Sequence, residues 1–381
     1  MREIPFYKPT VTEDEIQEIT SVLHNVNVKK ELTKVEEFEE QVAKFIGADH
    51  AIATCNGTTA LHLAMSAIEL KRGDKILMSV NSFVNVPEVV RHFDAEPIFI
   101  DINPDDMNID LDKLELALKE NTTKKLRGAI VSFVAGQTPD LERLYSIVKK
   151  YGVLLIEDAT CALGVTYKNE PIGSLGADMT IFYTNPSNSA HAISLAGGIV
   201  TNNDELAARA RLLRTHAITT TYDDYGNLDY IYDVVDIGYK YDISELDASF
   251  ALAQLKKVNK LIKRRKDIAR IYEQRLANIK HITTPKHNDE HIFTQYIIRI
   301  DRNRDAFARA LKEKGISTGL NYIPLHLLSY YKQKYNLKIT TFSVALNSYS
   351  QILSIPIYAS LTDEEVNYVC DTVIEIASSW V

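Results

Sequence analysis

The order of apolar segments predicts an α/β protein, with a mostly parallel central sheet sandwiched by helices and a smaller C-terminal α+β domain. Strand-like and helix-like stretches alternate over the first two thirds of the chain. The strand-like stretches are continuous apolar runs, such as KILMSV at 75–80 and VLLIE at 153–157. Such runs mark strands buried on both faces, as in parallel sheets. Beyond about residue 280 the pattern changes to an isolated strand, helices and a polar-aromatic segment.

The elements follow in order. Apolar residues at helical spacing predict helices over 13–24 and 35–46. A strand at 51–54 runs into the small-residue turn CNGTT and the helix ALHLAMSAIEL. Strands are predicted at 75–80, 97–101, 128–133 and 153–157. A long amphipathic helix over 244–275 follows, and its basic run KKVNKLIKRRK reads as a solvated face. The strand FTQYIIRI (293–300), a helix over 304–314 and a final helix over 362–378 complete the chain. The expected division is 1–243 for the large domain and 244–381 for the long helix and the small domain.

Composition narrows the function. With 43 basic and 51 acidic residues the net charge is −8, which argues against nucleic acid as the main partner. No run of about 20 apolar residues occurs and the N-terminus MREIPFYKPT has no apolar core, so neither a membrane span nor a secretory signal is expected. Cys55, Cys161 and Cys370 lack metal-ligand or disulfide-scaffold spacing, and no metal is expected. A cytoplasmic protein acting on small molecules is the expectation.

Ligands of open α/β sheets gather at the carboxyl ends of the strands. Three segments stand out there or nearby: Asn56-Gly57-Thr58-Thr59, a turn opening a helix and suited to an anion; Asp158, ending VLLIED; and Asn321-Tyr322-Ile323-Pro324-Leu325-His326 in the smaller domain. Asp158 reads either as a helix cap or as the partner of a cationic cofactor ring.

Together with VEEFEEQVAKFIGADHAIATCNGTTALHLA, EPIFIDINPDDMNIDLDKLE, LLIEDATCALGVTYKNEPIGSLGADMTIF and NYIPLHLLSYY, these segments resemble the DegT-type nucleotide-sugar aminotransferases. That family belongs to the fold-type I (aspartate-aminotransferase-like) pyridoxal-phosphate enzymes. The resemblance implies a homodimer with a shared site for pyridoxal phosphate (PLP) or pyridoxamine phosphate (PMP), and a nucleotide-linked sugar as substrate. Position by position it implies that Gly57 and Thr58 hold the cofactor phosphate and Phe83 stacks on the ring. Asp158 would pair with the ring nitrogen and Gln137 would approach the ring hydroxyl. Lys240 would reach the phosphate from the partner subunit, and Asn321, Tyr322 and His326 would lie near the sugar-nucleotide.

The sequence departs from the family where its chemistry is concentrated. The family's Schiff-base lysine precedes paired glycines, but FYTNPSNSAHAISLAGG (182–198) contains no lysine. Counting forward from Phe182 puts Asn188 at that place, and counting back from Gly197 puts Ala190 there. Nearby, Ala196 replaces a glutamate, Tyr183 a serine and Cys161 a histidine; Lys240 and Asp242 replace an asparagine and an arginine. VKKELT (28–33) stands where the family carries a Trp-x-Thr-x-Gly-Pro loop. Sugar 3-dehydratases resemble this family yet use histidine with non-covalent PMP, and Ser189-Ala190-His191-Ala192-Ile193-Ser194 resembles their segment. Three readings stay open: a PLP- or PMP-assisted dehydratase of a 4-keto-6-deoxy sugar with His191 as base; a PLP-independent enzyme on the same sugar site; and a catalytically silent homologue or complementing subunit.

Overall fold

The computed structural model describes residues 2–24, 33–184, 196–220 and 231–380. Seven strands form the central sheet: β1 (His50–Thr54), β2 (Lys75–Ser79), β3 (Glu96–Ile100), β4 (Leu126–Ser132), β5 (Leu154–Asp158), β6 (Met179–Tyr183) and β7 (Gly197–Thr201). Their spatial order is β1-β7-β6-β5-β4-β2-β3. All neighbours are parallel except where β7 runs antiparallel to both β1 and β6. The apolar runs do what two-sided burial requires. Ile76, Met78, Ile130 and Ile156 point to one face and join one core, while Leu77, Ala129, Val131 and Leu155 point to the other.

Helices α1 (Glu13–His24) and α2 (Lys34–Ile46) precede the sheet. Thr33 and Glu36 form a capping box that starts α2, worth about 1 kcal/mol relative to alanine at the cap. The first sheet face is covered by α3 (Gly57–Ala67), α4 (Asn85–Arg91) and α7 (Asp204–Arg214), and the second by α5 (Leu111–Glu120) and α6 (Leu141–Tyr151). The 32-residue α8 (Glu245–Leu276) starts at the Ser244 cap and joins the two halves. Ala248, Ala251, Leu252 and Leu255 pack with α2, whereas Ile268, Ala269, Tyr272 and Leu276 belong to the small-domain core. That core holds three antiparallel strands, β8 (Ile282–Thr283), β9 (Tyr296–Ile300) and β10 (Ile352–Ile355), with α9 (Arg304–Glu313) and α10 (Asp363–Ser378).

Three details differ from the sequence reading. The strand predicted from 293 begins at Tyr296, because Phe293 has φ +48°. Its neighbours Ile292 and Thr294 donate their amides to the Gly136 and Ala135 carbonyls of the large domain instead. The basic run of α8 is not uniformly solvated: Lys257 pairs with buried Glu15, and Arg265 is only 9% exposed. Ile4, near the N-terminus, pairs with Ile316 and lies in the small-domain core.

Glu39 ties the start of the large domain together. It is 8% exposed, accepts the Ala53 amide at 2.8 Å, and pairs with Arg211 and Arg214 of α7. The two arginines also donate to the Ala51 and Ala53 carbonyls of β1. Removing Glu39 strips the buried Ala53 amide of its acceptor and leaves Arg214, its side chain 17% exposed, without its counter-charge. Glu39→Ala is therefore expected to destabilise the fold by about 3 kcal/mol. Urea unfolding with an unchanged m-value checks this, and a loss below about 1 kcal/mol would contradict it.

Candidate functional site

The carboxyl ends of β1, β4, β5 and β6 open onto one cavity of about 300 Å³. It is lined by Asn56, Gly57, Thr58, Phe83, Asp158, Cys161, Tyr183 and Tyr322, among others. Asn56 caps α3 by accepting the Thr59 amide at 2.9 Å, and Thr59 returns its side chain to the cap backbone. This leaves the Gly57 and Thr58 amides at the head of the helix without partners among the described residues. A Cβ at Gly57 would meet Thr160 Cγ2 at 2.9 Å and Tyr183 Cβ at 3.6 Å, so only glycine leaves this cradle open. Gly197 is needed for a related reason. Its Cβ would fall 2.5 Å from the Asn56 carbonyl carbon, where β7 presses on the turn.

Asp158 is 6% exposed and held from both sides. Ser132 Oγ donates to one carboxylate oxygen at 2.8 Å, and Thr160 Oγ1 donates to the other at 2.7 Å. Register explains the first bond, since Ser132 and Asp158 are paired across β4 and β5. An Asx-type turn explains the second. Neither Ser132 nor Thr160 was singled out from sequence, although each ends a strand or follows the acid by two residues. Phe83 is 44% exposed and its ring lies 6.0 Å from that of Tyr322.

Tyr183 fills the place next to Gly57, and burial pushes its hydroxyl up to about 12, so it is a neutral donor at physiological pH. Burial, then nearby Asp158, pushes the Cys161 thiol up to about 12. Its sulfur lies 3.9 Å from the Tyr322 hydroxyl, itself raised well above the usual value by burial.

The structure thus brings Gly57, Thr58, Phe83, Asp158 and Tyr322 together. The others expected at the site lie elsewhere in this chain. Gln137 is buried outside the lining, with its carbonyl accepting from Asn108. Asn321 accepts from Ser354 Oγ at 3.2 Å, beside the cavity but not lining it. His326 is a core residue: it is fully buried against Phe342 and donates from Nε2 to the Ile339 carbonyl at 3.1 Å. Lys240 is exposed and pairs with Asp242 at 2.8 Å. His191, Asn188 and Ala190 lie outside the described residues, as does most of the 28–33 loop. No lysine lines the cavity among the described residues.

A family model for the DegT/DnrJ/EryC1/StrS aminotransferases matches residues 9–374. The chain belongs to that family. Within it, the chain is 32% identical to the spore coat polysaccharide biosynthesis protein SpsC of Bacillus subtilis, over 98% of this chain and 97% of that protein. Among solved structures it resembles the putative sugar aminotransferase Spr1654 of Streptococcus pneumoniae in its PMP form. The TM-score is 0.90 at 26% identity, over 99% of each chain. The sugar aminotransferase CalS13 of Micromonospora echinospora superposes with a TM-score of 0.85 at 26% identity, covering 99% of this chain and all of that one. These likenesses agree with the mostly parallel seven-stranded sheet and make the chain a sugar-aminotransferase homologue. Among the described residues no helix is long and apolar enough to cross a membrane, and no group of His, Cys, Asp and Glu is arranged to hold a metal.

The family's cofactor can be tested against these residues. The open amides of α3, the glycine cradle and the doubly held Asp158 fit a phosphate and a protonated pyridine nitrogen. Among the described residues the lining gives no amine for a covalent link. Cys161 is a packing residue here rather than a nucleophile. At pH 8 a thiol with a value of about 12 is ionised roughly once in ten thousand. Iodoacetamide at pH 8 should therefore label partly exposed Cys55 first and leave Cys161 and Cys370 unmodified in the native protein. Peptide mass spectrometry checks the order, and early labelling of Cys161 would contradict it.

Proposed function

We propose that this family member holds PLP or PMP without a covalent bond to lysine, and acts on a nucleotide-linked sugar of the 4-keto-6-deoxy type. The carrying observation is the pairing of a retained ring and phosphate cradle (Gly57, Thr58, Phe83, Asp158) with a lining that contains no lysine among the described residues. The segment 182–198 has none either. When bound, the pyridine ring supplies an electron sink. Asp158 would keep the ring nitrogen protonated, its carboxylate fixed by Ser132 and Thr160. The α3 amides would bind the phosphate, and Phe83, 6.0 Å from the ring of Tyr322, would stack on the cofactor ring. Elimination of the C-3 hydroxyl would suit such a site better than amino transfer: His191 would take the proton released at the cofactor's amino-bearing carbon and hand it to the C-3 hydroxyl, which leaves as water as its C–O bond breaks. Lys240, paired with Asp242 in its own protomer, would serve as counter-charge to the phosphate of a partner subunit in a homodimer.

The packing of Tyr183 against Gly57 favours a second reading, in which the phosphate place is partly filled and the chain is a PLP-independent enzyme or a silent, complementing subunit. Titration separates the two. PLP and PMP should each give a saturable, reversible absorbance change, with no adduct after borohydride treatment. A borohydride-trapped lysine adduct, or no binding of either compound, would overturn the proposal. His191→Asn should abolish dehydration of a 4-keto-6-deoxy nucleotide sugar while leaving the PMP titration unchanged, and unchanged turnover would remove His191 from the chemistry.

A further inference from the structure

A second cavity of about 60 Å³ lies at the junction of the two domains, between α8, the N-terminal segment and the residues after β10. Tyr183 is a wall of both this cavity and the larger one. Its floor is Arg265, more than nine-tenths buried. A guanidinium has five N–H donors. Arg265 places one hydrogen bond among the described residues, from Nε to the Ile292 carbonyl at 3.1 Å. No carboxylate lies within ion-pair distance of it among those residues, and no acidic residue lines the cavity. The phenol of Tyr7, in the same lining, favours its charged form. Several other buried charges are paired among the described residues: Glu39 with two arginines, Glu15 with Lys257, Asp101 with Lys113. Arg265 has no such partner among those residues and lines a cavity.

Burial lowers its value only to about 10, so it stays cationic at neutral pH. An isolated buried cation is costly to maintain without an anion beside it. The hydroxyls of Tyr183 and Tyr358, both pushed up to about 12 by burial, are neutral donors in the same lining. Exposed Lys8 stands at the edge. The remaining walls set apolar Leu163, Leu255, Val258 and Ile357 beside three threonines and Gln254.

We infer that Arg265 forms a carboxylate-binding subsite beside the cavity that holds Asp158. The planar fork of a guanidinium matches a carboxylate in a bidentate pair, and one buried cation balances one negative charge better than a phosphate dianion. The carboxylate has two possible sources, a free dicarboxylic amino acid or an acidic sugar, and the test tells them apart. This inference goes beyond the cofactor proposal and does not rest on it.

The test titrates the full chain by calorimetry and thermal unfolding at constant ionic strength, with L-glutamate, UDP-glucuronate, UDP-glucose and sulfate as probes. At least one carboxylate should raise Tm where sulfate does not. In Arg265→Gln, which is neutral but keeps an N–H for the Ile292 carbonyl, its Kd should weaken about tenfold or more. Binding of UDP-glucose and of PMP should be unchanged by that substitution. Glutamate as the sensitive probe assigns a free amino acid; UDP-glucuronate assigns an acidic sugar. Unliganded Arg265→Gln should unfold at the same or a higher temperature, since it removes an unpaired charge. Should the variant not fold, the wild-type carboxylate-over-sulfate shift in Tm decides. No such shift, an equal response to sulfate, or unaltered carboxylate affinity in Arg265→Gln would overturn the subsite, whether or not PMP binds.

Discussion

The cavity depends on backbone lying directly on backbone where β7 meets β1. Gly197 and Gly198 start β7 opposite Thr54 and Ala53, close enough that any side chain at either place would collide with the strand or the turn beyond it. This contact fixes the direction of α3, and so the place of its open amides, relative to the ends of β5 and β6. A strand that packs through glycine contributes little apolar area of its own, and it relies on Ile199 and Val200 for its hold on the two faces.

Two buried charges on this frame are treated in opposite ways. Asp158 is surrounded by hydroxyl donors that orient it without neutralising it, which leaves its charge available to a cation in the cavity. Arg265 has almost no such company. The first arrangement prepares a carboxylate for a positively charged ring, and the second leaves a guanidinium to be completed from outside the protein. Between them stands Tyr183, in contact with both spaces. A serine at that place would leave the two less separated than the tyrosine does.

Much of the fold was legible in the sequence because burial on two faces writes itself as long apolar runs. Strands β2, β4 and β5 and the long α8 appear within one or two residues of their predicted limits. β7 carried no such signal: it is short, opens with two glycines and runs against its neighbours. The cavity was legible in part. Gly57, Thr58 and Asp158 sit where strands end, a rule that holds without knowledge of side-chain direction. Phe83 followed from family resemblance, and Tyr322 from the aromatic-polar segment 321–326. His326 did not hold its expected place, because an aromatic-polar motif looks the same whether its histidine faces a ligand or a carbonyl in the core. Arg265 was hidden inside a basic run whose other charged members are exposed or half-buried, while it is buried.

The pairing of Ile4 with Ile316 has a consequence for how the chain is made. Ile4 lies more than 300 residues from its partner in sequence, yet both belong to the core that α8 shares with the C-terminal strands and helices. The segment that carries Tyr7 and Lys8 also lies against α8, where Gln254 donates to the Thr10 carbonyl at 2.9 Å. The junction cavity is complete only when this segment, α8 and the residues after β10 have come together. Contacts between such distant parts of a chain form slowly. The large domain can be complete in its strands and helices while the space around Arg265 is still open.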